Sequence, residues 1–270
     1  MALRCVYTDL DGTLLGRGGS LFRDAEGGFS LMQARGLEAC QRAGVEVVIM
    51  SGRREAQVAE DARLIGQSSY IYEAGCAVVI DGEATLLTGD LAPSEEETIY
   101  EQIERRGIPA LLFSRFEGRL EYHSPWHEGR VLSHLFRGKV DTGEANSVLG
   151  EGGHDDLRLL DNGAIGRPMP GIDMTHAYHL VPRAVSKANA VGAHARARGY
   201  DPGDCIGIGD SIEDLEVAGA VGRFFVVANG PERDPGLRAA IGGRENVTVT
   251  EGRMGEGFYE AVISTLVGRD

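Results

Sequence analysis

Two carboxylates stand two residues apart at the end of a short apolar run, in Val6-Tyr7-Thr8-Asp9-Leu10-Asp11-Gly12-Thr13. Leu3, Cys5, Val6 and Tyr7 predict a buried strand, and on extended backbone the side chains at i and i+2 point the same way. Two like charges so close are unfavourable unless a cation neutralises them. A hard divalent ion such as Mg²⁺ does so, taking carboxylate, water and phosphate oxygens. Gly12 lets the backbone turn tightly against a ligand, and Thr13 offers an anion a hydroxyl and an amide. Taken alone, the stretch favours function only modestly over a capped strand end, a common place for a lone Asp-x-Asp.

Three more stretches carry residues of the same kind. Ser51-Gly52-Arg53 follows the β-branched run Val45–Met50 and precedes a helix, so a hydroxyl and helix N-terminal amides can hold a phosphate oxygen. An ordinary serine N-cap is the plainer reading there. Gly209-Asp210-Ser211-Ile212-Glu213-Asp214 puts one carboxylate at another strand end and a second four residues on. Asp210 would complete a Mg²⁺ shell with Asp9 while Asp214 orients that shell from behind; helix capping explains the same two acids. Lys187 opens a helix, where the dipole disfavours an ammonium. Only Lys139 and Lys187 are lysine, so 25 of the 27 basic residues are arginine. A lysine kept in such a chain suits a position that needs a compact ammonium rather than a planar fork. Lys139, on an expected solvated turn, carries no such argument.

The elements that must position these groups alternate. A helix is expected over 30–43, a strand over 45–50, a helix over 55–65 and a strand over 70–72. Residues 77–80 and 84–87 should pair as a hairpin across Asp81-Gly82. The alternation resumes with a helix over 187–198, strands over 205–209 and 224–227, and a helix over 258–267. This order predicts an α/β fold, a doubly wound parallel sheet. Such sheets bind ligands beyond the carboxyl ends of their strands, and Asp9, Ser51 and Asp210 all stand at such ends. Between them the pattern changes: a helix over 93–106, strands over 110–113 and 119–122, a helix over 128–136, an irregular Gly- and Asp-rich stretch over 141–155 and a strand over 156–160. The expected organisation is a core of residues 1–87 and 182–270, with 88–181 inserted as an α+β cap that sets specificity.

The bulk composition narrows the partners. A net charge of −14 argues against nucleic acid, because no basic face is present for a phosphate backbone. No apolar run reaches membrane-spanning length, and the chain enters its first strand without a signal-peptide pattern. Cys5, Cys40, Cys76 and Cys205 share no metal-ligand spacing and read as small core residues in a reduced cytoplasm.

The four stretches, in this order, resemble the motifs of the haloacid dehalogenase superfamily of aspartate-nucleophile phosphohydrolases. With an insert between the second and third, the chain is similar to the Cof-type branch, which includes mannosyl-3-phosphoglycerate and sucrose-phosphate phosphatases as well as phosphomannomutase. Asn229 matches the branch's Asn-Gly or Asn-Ala. The resemblance implies a Rossmannoid core with a cap, and Mg²⁺ held by Asp9, Asp11, Asp210 and Asp214. It gives Asp9 and Asp11 the catalytic roles and assigns phosphate binding to Thr13, Ser51, Gly52 and Lys187. Arg53, Arg183, Asn229 and His123 are weaker candidates for substrate contact. Three positions depart from the branch: Ala74 stands where Asn is frequent, Glu213 replaces Asn, and Ala184 replaces Gly. The expected activity is Mg²⁺-dependent hydrolysis of a small-molecule phosphate ester, of phosphosugar or glycosyl-phosphoglycerate type, through an aspartyl-phosphate. A phosphomutase of hexose phosphates shares Asp9 and Asp11. A non-catalytic phosphosugar-binding protein would have no need of Asp11.

Overall fold

The computed structural model describes residues 3–268. In chain order the strands are β1 (Cys5–Thr8), β2 (Glu46–Met50), β3 (Tyr70–Tyr72), β4 (Ala77–Ile80), β5 (Glu83–Leu86), β6 (Leu120–Tyr122), β7 (His134–Gly138), β8 (Leu157–Ala164), β9 (His176–Pro182), β10 (Cys205–Gly209), β11 (Arg223–Val226) and β12 (Val247–Val249). Contacts group the chain into two compact units, Met1–Thr85 with Ser186–Asp270, and Leu86–Val185.

The first unit is built on an eight-stranded sheet in the order β12-β11-β10-β1-β2-β3-β4-β5. From β12 to β3 every neighbouring pair is parallel, and β4 returns antiparallel to β3. The central strands are buried along their whole length, as the runs Cys5–Thr8 and Val47–Met50 show. Such continuous apolar runs belong to strands covered on both faces. The first strand lies between β10 and β2, so the chain runs outward from β1 in both directions, and the doubly wound topology follows. Helices Met32–Arg42 and Met254–Val267 pack against each other. Gly36 permits it, since a Cβ there would fall 2.8 Å from the Phe258 ring. Helix Lys187–Arg198 is capped by Ser186, whose side chain accepts from the Asn189 amide, and ends on Gly199 in the left-handed region, where glycine has no Cβ penalty.

The second unit is a four-stranded antiparallel sheet, β6-β7-β9-β8, with helices Ile99–Arg105, Ile108–Arg115 and Thr142–Glu151. Four local expectations fail here. The helix expected over 93–106 opens only at Ile99, because Thr98 rather than Ser94 caps it, on the Glu101 amide. Residues 110–113 form a helix, not a strand: Pro109 sits in the first turn and buried Ile108 and Leu112 stand one turn apart. The helix expected over 128–136 gives way to β7. Val131, Leu132, Leu135 and Phe136 imitate helical spacing, but the backbone pairs with β9 from His134 onward and with β6 from Phe136 onward, and sheet pairing outweighs the local pattern. The stretch over 141–155 holds a helix instead of irregular chain: Asp141 caps it on the Glu144 amide, and Ala145 and Leu149 are its buried face. Among the described residues, no helix is long and apolar enough to cross a membrane.

Candidate active site

Two strand ends meet where β1 and β10 stop. The Asp9 amide donates to the Ile208 carbonyl at 2.9 Å, which continues the β1–β10 ladder one step past β1. This splice sets Asp9 beside Asp210, the first residue after β10. Carboxylate oxygens of Asp9, Asp210 and Asp214 lie within 4.8 Å of one another, and all three side chains are buried. Glycines allow the approach. A Cβ on Gly12, whose φ is +87°, would stand 2.4 Å from Asp210 Oδ2, and one on Gly209 would stand 2.3 Å from Asp214 Cβ.

Lys187 joins this cluster from the first turn of its helix. It is fully buried, and its Nζ donates to Asp9 Oδ1 at 2.9 Å and Asp214 Oδ1 at 2.6 Å. The other oxygen of Asp214 accepts from the Ser211 hydroxyl at 2.7 Å and from the Ser211 and Asp210 amides. Asp214 is thereby fixed as the bracket that aims the ammonium. Gly75 explains how Lys187 reaches so far in: with φ at +94°, a Cβ would lie 2.5 Å from the Ser186 carbonyl oxygen and 2.8 Å from the Lys187 amide nitrogen.

Electrostatics follow from burial and from the count of charges. Burial works against the Lys187 ammonium, but Asp214, Asp9 and Glu213 hold it charged and raise its pKa. Burial lifts Asp9 well above the usual carboxylate range, Lys187 pulls it down, and Asp214 and Asp210 push it up again. Asp210 is lifted to about 6 by burial, with Arg233 opposing and Asp214 adding. The cluster is short of positive charge, and its donors are hard oxygens, so the residues present fit a hard divalent cation such as Mg²⁺.

The remaining candidates divide. Thr13 is fully buried and its hydroxyl lies 3.4 Å from Asp210 Oδ1. Ser51 is buried at the end of β2, where its Oγ accepts from the Arg53 amide at 3.2 Å. The turn after β3 is laced to this loop, Ala74 donating to the Ser51 carbonyl and Glu73 to that of Arg53; Gly52 lies between these anchors. Asp11 stands apart from the buried acids: its side chain is 57% exposed and held by Arg53. Arg53 also donates to Asp61 at 2.9 Å. Asn229 spends its amide inside the unit, donating to the Gly12 carbonyl and accepting from the Met254 amide. Arg183 and His123 belong to the inserted unit. There Arg183 donates to the Asp155 carbonyl, and burial, followed by nearby Arg137 and Arg167, lowers His123 to about 4.

Arg233 escapes a reading of the sequence. Its guanidinium donates to Asp210 Oδ2 at 2.7 Å, yet one arginine among 25 offers no contrast. Its place four residues after Asn229, in the short helix Asn229–Arg233, is the only signal pointing to it.

A sequence profile of haloacid dehalogenase-like hydrolases matches residues 6–139. A phosphoglycolate phosphatase of Methanoculleus marisnigri is 28% identical over 264 residues, covering 96% of this chain and 95% of its own. A second, from Methanothermobacter thermautotrophicus, is 26% identical over 261 residues, covering 96% and 97%. Among solved structures, the sucrose-phosphatase of Synechocystis, determined with sucrose and phosphate, superposes with a TM-score of 0.66 at 14% identity, over 97% of this chain and 98% of that one. A Thermoplasma acidophilum protein gives 0.62 at 17% identity, over 97% of each. The chain is similar to the haloacid dehalogenase-like hydrolases over its whole length and is an enzyme, a phosphatase.

Proposed function

We propose that this chain is a Mg²⁺-dependent phosphatase of small phosphorylated metabolites that works through an aspartyl-phosphate on Asp9. The observation that carries the reading is the buried ammonium of Lys187 bonded to both Asp9 and Asp214, beside Asp210. Asp9, Asp210 and Asp214 would hold the metal, which supplies charge neutralisation between an anionic nucleophile and an anionic substrate.

The chain's own residues do the rest. An Asp9 oxygen attacks phosphorus as the ester P–O bond breaks, and the leaving alkoxide takes its proton from the Asp11 carboxyl. Asp11, now a carboxylate, accepts a proton from the water that attacks the acyl phosphate. The bond from phosphorus to Asp9 breaks, and inorganic phosphate leaves. Lys187, the Ser51 hydroxyl and the amides at Gly52 and Thr13 hold the equatorial oxygens, where charge accumulates. The inserted unit acts as the cap that selects the leaving group.

Within the substrate class, small phosphorylated carboxylates such as phosphoglycolate come first. Full-length relatives carry the name phosphoglycolate phosphatase, and Arg53 already presents its fork to a carboxylate, that of Asp11. A substrate carboxylate arriving there would relieve Asp11 of its partner at the moment Asp11 is needed. Phosphosugars come second. The test is phosphate release from a panel of esters with and without Mg²⁺: wild type should hydrolyse phosphoglycolate fastest, and Asp9→Asn should hydrolyse nothing. Turnover by a folded Asp9→Asn protein would refute the mechanism.

A further inference from the structure

At the opposite end of the same strands lies a second polar cluster that phosphoryl transfer does not use. Cys5 begins β1, and its register partner is Glu46, which begins β2. Neighbouring residues of paired strands share a face, so thiol and carboxylate project together. His194 covers them from helix Lys187–Arg198 and is fully buried. One ligand atom from each of the three residues lies within 4.8 Å of the other two.

We infer that Cys5, Glu46 and His194 form a second divalent-cation site, of Zn²⁺ type, which ties together the two strands and the helix that carry Asp9, Ser51 and Lys187.

The ring of His194 is held as a ligand is held. Its Nδ1 shares a hydrogen bond of 2.9 Å with the Tyr7 hydroxyl. Its Nε2 is buried with no hydrogen-bond partner and stands 3.5 Å from Glu46 Oε1. Metal-binding histidines use one nitrogen on the ion and give the other to an orienting group. Glu46 is oriented too: it accepts from Ser69 at 2.8 Å, Tyr200 at 2.9 Å and Arg198 at 3.1 Å. Oε1 takes two of these donors and Oε2 one, so the lone-pair position left for an ion is on Oε2. Thiol, imidazole and carboxylate together select a borderline cation such as Zn²⁺ over Mg²⁺. On binding, a metal–sulfur bond forms and the Cys5 thiol proton passes to solvent.

The site would clamp β1, β2 and the Lys187 helix at one end while their other ends hold the catalytic groups. Co²⁺ is the probe. Full-length protein is stripped with chelator, returned to excess Mg²⁺ to occupy the acidic cluster, and titrated with Co²⁺. One equivalent should bind with a thiolate-to-cobalt charge-transfer band that Zn²⁺ bleaches. The band should vanish in Cys5→Ser and persist in Cys40→Ser, Cys205→Ser and Asp210→Asn. Tyr7→Phe, which leaves His194 unoriented, should weaken Zn²⁺ binding about 10–100-fold. Zn²⁺ should raise the melting temperature of wild type and not that of Cys5→Ser. Wild-type protein without the band overturns the site even if no variant folds, and so does a band that survives Cys5→Ser or is lost with Cys205→Ser.

Discussion

The guanidinium of Arg53 grips the carboxylate of Asp11 with two parallel bonds, Nε to Oδ2 at 2.7 Å and Nη2 to Oδ1 at 2.6 Å. A two-point grip of this kind distinguishes carboxylates by geometry as well as charge. It also leaves Asp11 facing Arg53 while Asp9, Asp210 and Asp214 gather around Lys187.

If that fork serves the substrate, Arg53→Met should separate two classes of ester. A charge-assisted bond contributes about 1.5–3 kcal/mol, a factor of about 10–100. The KM for phosphoglycolate should rise by that factor, and kcat/KM for an aryl phosphate without a carboxylate should change less than about threefold. Steady-state kinetics on the two substrates decides it. Arg53→Lys should not restore the loss, because an ammonium lacks the fork.

Lys187→Met should unsettle the fold as well as silence the enzyme. Removing one partner of a buried ion pair strands the other charge and costs about 3–5 kcal/mol. Urea unfolding of metal-free protein should show that loss. Mg²⁺ should return part of it, since the ion supplies positive charge to the same carboxylates.

The acids should make metal binding and metal-free stability respond to pH in opposite directions. In metal-free protein Asp210 titrates at about 6 and Asp9 lies well above its ordinary value, burial being the largest cause for both. Between about pH 4 and pH 6 the folded chain therefore binds more protons than the unfolded one, and metal-free stability falls as pH rises through that window. Mg²⁺ requires the ionised acids, so its affinity should climb about tenfold per pH unit for each proton displaced. Calorimetric titration with Mg²⁺ below and above pH 6, beside melting curves without it, measures both slopes.

On the proposed metal site, Arg233 holds an oxygen that the ion would take. Its donation to Asp210 Oδ2 must weaken if that oxygen is to serve Mg²⁺ fully. Arg233→Ala should lower the melting temperature of metal-free protein and tighten Mg²⁺ binding, by up to about fivefold for a partly exposed pair. Weaker Mg²⁺ binding in the variant would instead make Arg233 a support for the site.

The core was legible in the sequence because its signals are redundant. Val47–Met50 and Cys205–Gly209 are buried runs that end in candidate site residues, Ser51 and Asp210, and a parallel sheet brings such ends together whatever lies between them. Lys187 was legible for a chemical reason: in a chain that writes arginine almost everywhere, a lysine at a helix start needs an explanation. The insert was harder to read. Leu111-Leu112-Phe113 is apolar enough for a strand, and only Pro109 hinted at the helix. Ala145 and Leu149 are too few apolar residues to announce Thr142–Glu151, and β9 had no counterpart among the expected elements. Pairings such as Arg53 with Asp11, or Cys5 with His194, depend on side-chain placement across 42 and 189 residues of chain and leave no trace in local pattern.

The scarcity of lysine has a practical consequence. Lys139 is more than half exposed, paired only at the surface with Asp173, while Lys187 is sealed among carboxylates. Amine-directed reagents will therefore mark one side chain of the insert and spare the other until the acid cluster opens. The rate at which Lys187 becomes modified, scored against Lys139 as an internal clock, turns ordinary acylation chemistry into a gauge of how often the reaction centre breathes.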